Sequence, residues 1–395
     1  MKNWLNADSS SDSKGVFLMR ARIIYNPTSG RELIKRNLVD ILQIYEEAGY
    51  ETSAFATTAD ANSAYNEAKR VAQEGFDLIV AAGGDGTINE VVNGIAGLKR
   101  RPKMAIIPAG TTNDYARALH IPRNNLLEAA KMIQKNQTIK MDIGKAVMNE
   151  KETYFINIGG GGLLTELTYD VPSSLKSVFG YLAYFAKGAE MLPRIKPIPM
   201  HIEYDEGVYE GTASMFFVAV TNSVGGFEQL APDALLDDGK FTMIVVKTAN
   251  QIEILHLIAL LLNGGKHIEH PNILYAKTSK IHARPANNSR MMINLDGEYG
   301  GDAPVTFINL HQHIEMFANV DEIMGAVTNP IDYTEEVEEA FIREVEGLTN
   351  EDINEDGIVS PTKEIKKEGT ISATDATNEA GLISPNKETK EEPKK

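Results

Sequence analysis

The 395-residue chain carries 55 acidic residues against 39 Lys and Arg, for a formal charge of −16, with 43% hydrophobic residues and no cysteine. That length predicts two domains with a sizeable core. The missing cysteines exclude disulfides, thiol nucleophiles and cysteine-held zinc and fit a reducing compartment, and the acidic balance argues against a nucleic-acid partner. Beyond Pro330, 18 acidic residues meet 8 basic ones, so this tail accounts for −10 of the total and the remaining body is only mildly acidic.

Met1 to Gly15 are polar and serine-rich, without the apolar stretch of a secretory signal, and residues 1–18 are expected to form a flexible extension. The longest apolar run, Ile252 to Leu262, is interrupted by Glu253 and His256 and falls short of the ~20 residues a spanning helix needs. A cytoplasmic protein is therefore expected.

Ordered structure is expected from Met19. Ala21 to Tyr25 reads as a strand, the turn Asn26-Pro27-Thr28-Ser29-Gly30 follows, and Ile34, Leu38, Ile41, Leu42 and Tyr45 then repeat at helical spacing until Gly49. A second strand covers Thr52 to Ala56, and a helix carries Ala64, Tyr65, Ala68, Val71 and Ala72. The apolar run Leu78 to Ala82 then empties into Gly83-Gly84-Asp85-Gly86-Thr87, which opens a helix carrying Ile88, Val91, Val92 and Ile95. Glycines in such a loop let backbone amides approach an anion, and a carboxylate among them suggests a magnesium ion beside bound phosphates. A tight strand-to-helix turn is the plainer reading. Met104 to Pro108 forms a further strand, leading into Gly110-Thr111-Thr112-Asn113-Asp114. Alternating strands and helices imply a doubly wound parallel α/β sheet over 19–141, and the polar loops at Asn26, Gly83 and Gly110 are expected to share one cleft at the carboxyl ends of the strands.

After Asp142 the pattern changes. Tyr154–Ile158, His201–Tyr204, Met215–Thr221, Phe241–Val246, Ile281–Ala283 and Met291–Asn294 read as closely spaced strands, predicting a β-rich, sandwich-like domain over 142–306. Two helical insertions interrupt it, one from Ser173 to Leu192 and one opened by Asn250-Gln251-Ile252-Glu253. Residues 307–330 are expected to return to the first domain, and 331–395 to form a disordered acidic tail.

The blocks Asn26–Gly30, Gly83–Glu90 and Pro108–Asp114, together with Ala231-Pro232-Asp233, Asp237-Asp238-Gly239 and Leu295-Asp296-Gly297-Glu298, resemble the diacylglycerol kinase catalytic family over about Met19 to Val327. They are most similar to the soluble bacterial members, which also resemble sphingosine kinases and NAD kinases. Thr165 to Pro172 points to the same branch. The Gly83–Thr87 block alone names only the superfamily, whereas Gly110–Asp114 is more specific to lipid kinases.

The resemblance implies that Asn26, Pro27, Thr28, Ser29, Gly30, Thr57, Gly83, Gly84, Asp85, Gly86, Thr87, Ile88, Asn89 and Thr111 contact ATP. It implies that Asp85 and Asp114 serve a shared Mg²⁺ network, and that Glu298 is the general base with Asp296 beside it. Leu235, Asp238 and Lys240 would hold a structural Mg²⁺ through one carboxylate and main-chain carbonyls. Plainer readings stand beside these: a helix cap for Asp114, a hairpin turn for Asp296-Gly297 and a solvent-facing turn for Asp238-Gly239.

The implied acceptor is membrane-resident diacylglycerol, converted to phosphatidic acid, with the protein peripheral at the inner face of the membrane. Lys176, Lys187, Arg194 and Lys196, interleaved with Phe179, Tyr181, Tyr184 and Phe185, are expected to make transient contact with anionic lipid, with a packed helix as the other reading. The family also admits homodimers. Another acceptor (sphingosine, phosphatidylglycerol or NAD) and a catalytically silent binding module remain open. The EF-hand-like run Asp352, Asn354, Asp356 and Gly357 has Lys363 where a bidentate glutamate belongs, and His267 and His270 have no evident third ligand.

Overall fold

The computed structural model describes residues 19–162, 197–222, 230–247, 250–262 and 264–328. The extension 1–18, the cationic-aromatic stretch within 163–196 and the tail 331–395, with its EF-hand-like run, lie outside the described residues.

The chain opens as repeated βα units: β1 (Met19–Tyr25), α1 (Leu33–Arg36), α2 (Leu38–Glu47), β2 (Tyr50–Ala56), α3 (Ser63–Gln73), β3 (Leu78–Gly83), α4 (Asp85–Ala96), β4 (Lys103–Pro108), α5 (Asp114–Ala118) and α6 (Leu126–Lys131). The four strands are parallel, in the order β2-β1-β3-β4. Every residue of β3 is buried, as expected of a central parallel strand covered on both faces. The single helix expected from Ile34 to Tyr45 breaks at Asn37. Its side-chain amide donates to the Leu33 carbonyl at 2.8 Å, and Glu32 just before α1 has φ 63°. An asparagine that engages nearby main chain in this way competes with helix propagation.

The remainder is β-rich: β5 (Thr138–Met148), β6 (Lys151–Phe155), β7 (Ile158–Gly162), β8 (Ile198–Tyr204), β9 (Gly207–Ala213), β10 (Met215–Ala219), β11 (Phe241–Val246), α7 (Gln251–Leu262), β12 (Ile273–Thr278), β13 (Lys280–Pro285), β14 (Met292–Leu295), β15 (Glu298–Asp302), β16 (Val305–Phe317) and α8 (Val320–Thr328). The first sheet continues past β4 as β16-β13-β8-β9, with β5 pairing β16 and β6; the second runs β12-β11-β10-β7-β14-β15. The strand expected over Tyr154–Ile158 divides into β6 and β7.

Two cores result. One lies between the parallel strands and their helices and takes in Met141, Ile143, Ile314, Met316 and Phe317 from β5 and β16. The other lies between the two sheets, where Phe155 stacks on Phe241 at 5.8 Å and meets Phe307 edge-on at 5.7 Å. The domain boundaries expected at 141/142 and 306/307 both fall inside strands, since β5 and β16 contribute to both of these cores.

Candidate active site

Parallel strands deliver their following loops to one edge of the sheet. The Asn26 amide donates to Ala82 O at 3.0 Å, the Thr57 amide to Tyr25 O at 2.8 Å and the Ala109 amide to Gly83 O at 2.8 Å. The segments after β1, β2, β3 and β4 are thus fastened side by side. Asn26 Oδ1 accepts from both the amide and the hydroxyl of Thr28, at 3.0 and 2.8 Å, closing the first loop into an Asx turn. Gly84 and Gly110 touch backbone to backbone: a Cβ on Gly110 would lie 2.7 Å from Gly84 Cα and 2.8 Å from Asn113 Oδ1. The Asn113 amide group spans that turn, accepting from Gly110 N at 2.8 Å and donating to Gly110 O at 3.0 Å.

Gly84 is the N-cap of α4 and brings no side chain to the amides of the first turn. A helix start of this kind carries partial positive charge and donors for an anion, so the cradle fits a nucleotide phosphate. Not all of the expected segment faces it. Ile88 is fully buried in the core and its amide donates to Gly84 O at 3.2 Å; Asn89 Nδ2 donates to Asp296 Oδ2 at 2.8 Å. Thr111 is exposed on the rim, while Thr112, to which the sequence assigned no separate role, donates its hydroxyl to Asp85 Oδ2 at 3.0 Å.

Asp85 and Asp114 are neighbours. Burial, and next the Asp114 charge, push the Asp85 carboxyl above its usual range, against the opposing hydrogen bonds from Thr112 and the Tyr115 amide. Asp114 is buried. Two crowded carboxylates invite a divalent cation. No group of three or more His, Cys, Asp or Glu side chains that could hold a metal ion occurs among the described residues. That donor set fits Mg²⁺, which binds one or two carboxylates and completes its shell with phosphate oxygens and water.

Asp296 and Gly297, at φ 50° and 90°, form the two-residue turn between β14 and β15. The hairpin turn anticipated from Asp-Gly is present, and Glu298, exposed, begins the return strand. Asp296, expected among the catalytic carboxylates, is committed elsewhere. Oδ1 accepts from the amides of Asn157 and Ile158 at 2.8 and 2.9 Å, and Oδ2 accepts from the Ile156 amide and from Asn89, each at 2.8 Å. Four donors leave it little capacity for a substrate proton, and its position is that of a brace. Burial nonetheless pushes its carboxyl upward.

Leu235, Asp238 and Lys240 share an exposed loop. Asp238 Oδ1 accepts from the Lys240 amide at 2.9 Å, closing an Asx turn, and the Lys240 ammonium pairs with Asp205 at 3.0 Å. Oxygen donors of this kind suit a hard cation, but a single carboxylate already engaged with an amide makes a thin donor set. The residue anchoring this loop is Asp142, fully buried, whose oxygens accept from Gly239 N and Gln312 N at 2.7 Å each.

The site thus joins a parallel α/β sheet, whose glycine-lined helix start suits an anion, to a β-sandwich that presents a carboxylate at its hairpin. Residues 20–146 match the diacylglycerol kinase catalytic domain, and 169–318 match the YegS C-terminal NAD kinase beta sandwich-like domain. A diacylglycerol kinase of Bacillus subtilis (strain 168) is 52% identical over 299 residues, covering 76% of this chain and 96% of the relative. One from Staphylococcus aureus (strain JH9) is 49% identical over 310 residues, covering 78% and 96%. A solved structure of a diacylglycerol kinase from Bacillus anthracis str. Sterne superposes with a TM-score of 0.58 at 27% identity, covering 76% of this chain and 97% of that one. The chain belongs to the diacylglycerol kinase family.

Proposed function

We propose that the protein transfers the γ-phosphoryl group of ATP to the free hydroxyl of diacylglycerol, giving phosphatidic acid and ADP. The observation that carries this is the meeting, through Asn89 and Asp296, of the phosphate-cradle helix with the hairpin that bears Glu298. The α4 amides and the Asn26–Gly30 loop would bind the phosphates. Asp85 and Asp114 would hold Mg²⁺, which when bound neutralises charge on the transferring group. Glu298 would accept the acceptor's hydroxyl proton as its oxygen bonds to phosphorus and the bond to the ADP oxygen breaks. Leu235, Asp238 and Lys240 are retained as a candidate second cation site on the strength of the resemblance.

The acceptor resides in a bilayer. No helix among the described residues is long and apolar enough to cross one; a peripheral approach from the cytoplasmic side is part of the proposal. Labelled ATP and Mg²⁺ offered with diacylglycerol, sphingosine, phosphatidylglycerol and NAD in parallel test the reading. Label is expected in phosphatidic acid, with Glu298→Ala about 100-fold slower or worse, the scale on which a general base contributes. Label in another acceptor reassigns the substrate; none at all leaves a silent binding module.

A further inference from the structure

Helix α4 carries two asparagines one turn apart, and both reach out of the nucleotide-binding layer. Asn93 pairs with the main chain of Tyr154 in both directions: Oδ1 accepts from Tyr154 N at 2.9 Å, and Nδ2 donates to Tyr154 O at 2.9 Å. Its Nδ2 also lies 3.0 Å from Asn89 Oδ1, which orients Asn89 so that its own Nδ2 meets Asp296 at 2.8 Å. Asp296 in turn holds the amides of Ile156, Asn157 and Ile158. Asn93 and Asp296 therefore grip the same β6–β7 bend from opposite ends, and α4 is the member common to both grips. The hairpin is held by β14 pairing with β7 at Leu295–Gly159 and by the Asp296 amide donating to Ile158 O at 2.8 Å.

Resting on the kinase reading above, we infer that Asn89, Asn93 and Asp296 form a positioning staple that fixes Glu298 relative to the α4 N-terminus and so sets the rate of phosphoryl transfer. Three features favour placement over simple cohesion. An apolar contact would hold two layers together without desolvating a carboxylate. The bonds are directional and their donors and acceptors are matched, which fixes register as well as proximity. The two ends of the staple lie one helical turn from the phosphate cradle and two residues from the proposed base, where a misplacement of ~1 Å costs on the order of 100-fold in rate.

The test uses the full-length chain and four variants: Asn89→Asp, Asp296→Asn, the double exchange and Asn93→Ala. The readouts are kcat and KM for ATP, ADP affinity by calorimetry, and thermal unfolding. Asp296→Asn turns an amide donor toward Asn89 and the Ile156 amide, and Asn89→Asp sets two carboxylates face to face. Each is expected to lower kcat by about 100-fold with ADP affinity within about threefold of wild type. The double exchange restores an acceptor opposite a donor and should recover kcat by about tenfold over either single variant, the scale of coupling between contacting residues. Asn93→Ala leaves Asp296 untouched and is expected to lower kcat by about tenfold with ADP affinity unchanged, a readout that survives if Asp296→Asn does not fold.

Unchanged kcat in Asn93→Ala overturns the inference. So does a double exchange without recovery, or kcat losses that merely track the unfolding temperature. Weakened ADP binding by Asn89→Asp that the exchange does not restore would return Asn89 to the nucleotide site and also overturn it. A wild-type protein that labels no lipid removes the kinase reading itself, an outcome separate from all of these.

Discussion

Asp85 occupies the first turn of α4, a favourable place for a carboxylate, yet burial and Asp114 push its pKa up. The folded state therefore holds the Asp85 proton more tightly than the unfolded chain. Stability from this group rises as pH falls through the raised folded value, and is lost as pH climbs from the ordinary aspartate range near 4. Without nucleotide or Mg²⁺, Asp85→Asn is expected to stabilise the protein at neutral pH by about 0.5–2 kcal/mol while eliminating transfer, the usual trade at a functional carboxylate. Thermal unfolding of both proteins across pH 4–8 checks this: the advantage of the variant should shrink toward the acid end, and no advantage at any pH would contradict it. Asp85 was legible in the sequence because a carboxylate inside a glycine turn is locally anomalous. The bracing role of Asp296 was not, because its partners lie 138 to 207 residues away and only the folded chain assembles them.

Among the elements, the contact of α3 with α4 rests on a close approach. A Cβ on Gly94 would lie 2.5 Å from Tyr65 O and 3.1 Å from Ala68 Cβ. The backbone of α3 cannot give way as a side chain could, so Gly94→Ala should separate the helices and destabilise the fold by ~1–3 kcal/mol despite alanine's better helix propensity. Urea unfolding would read this; a neutral or stabilising effect would show the helices free to shift. The α3 start is also tied to α4, since Glu90 Oε2 accepts from Ala64 N at 2.9 Å. Gly94→Ala should therefore weaken nucleotide binding along with stability. The βα units were readable because short continuous apolar runs, ended by glycine or proline turns, alternate there with segments of helical period. Strand β7 was not, because its run Gly159–Gly162 carries no side-chain pattern. Its glycines serve the neighbours: a Cβ on Gly160 would stand 2.5 Å from Phe216 O, so only a bare backbone admits β10 at that distance.

For the described body as a whole, β16 decides whether the parts are separable. It pairs β13 near its start and β5 along both stretches, and meets β4 in parallel at Met316–Met104. A bulge between Leu310 and Ile314, with Gln312 at φ 48°, redirects the strand between these partners, and Asp142 accepts the Gln312 amide at that bend. The bulge breaks the alternation that would announce a strand, which is why the sequence suggested only a return segment. The first core draws Ile314, Met316, Phe317 and Ala318 from this strand and the residues just after it. A fragment of residues 19–141 would lose those side chains and expose β4 as an unpaired edge, a template for aggregation. It is expected to be insoluble or to unfold without a cooperative transition, whereas 19–328 should unfold in a single one. A fragment 19–141 that was monomeric, cooperative and able to bind ADP would show that the nucleotide-binding layer is an independent domain, with β16 an accessory to it. Failure of the fragment, paired with a single transition in the longer chain, would instead mean that the glycine loops and the Glu298-bearing hairpin stand or fall together, as a shared strand requires.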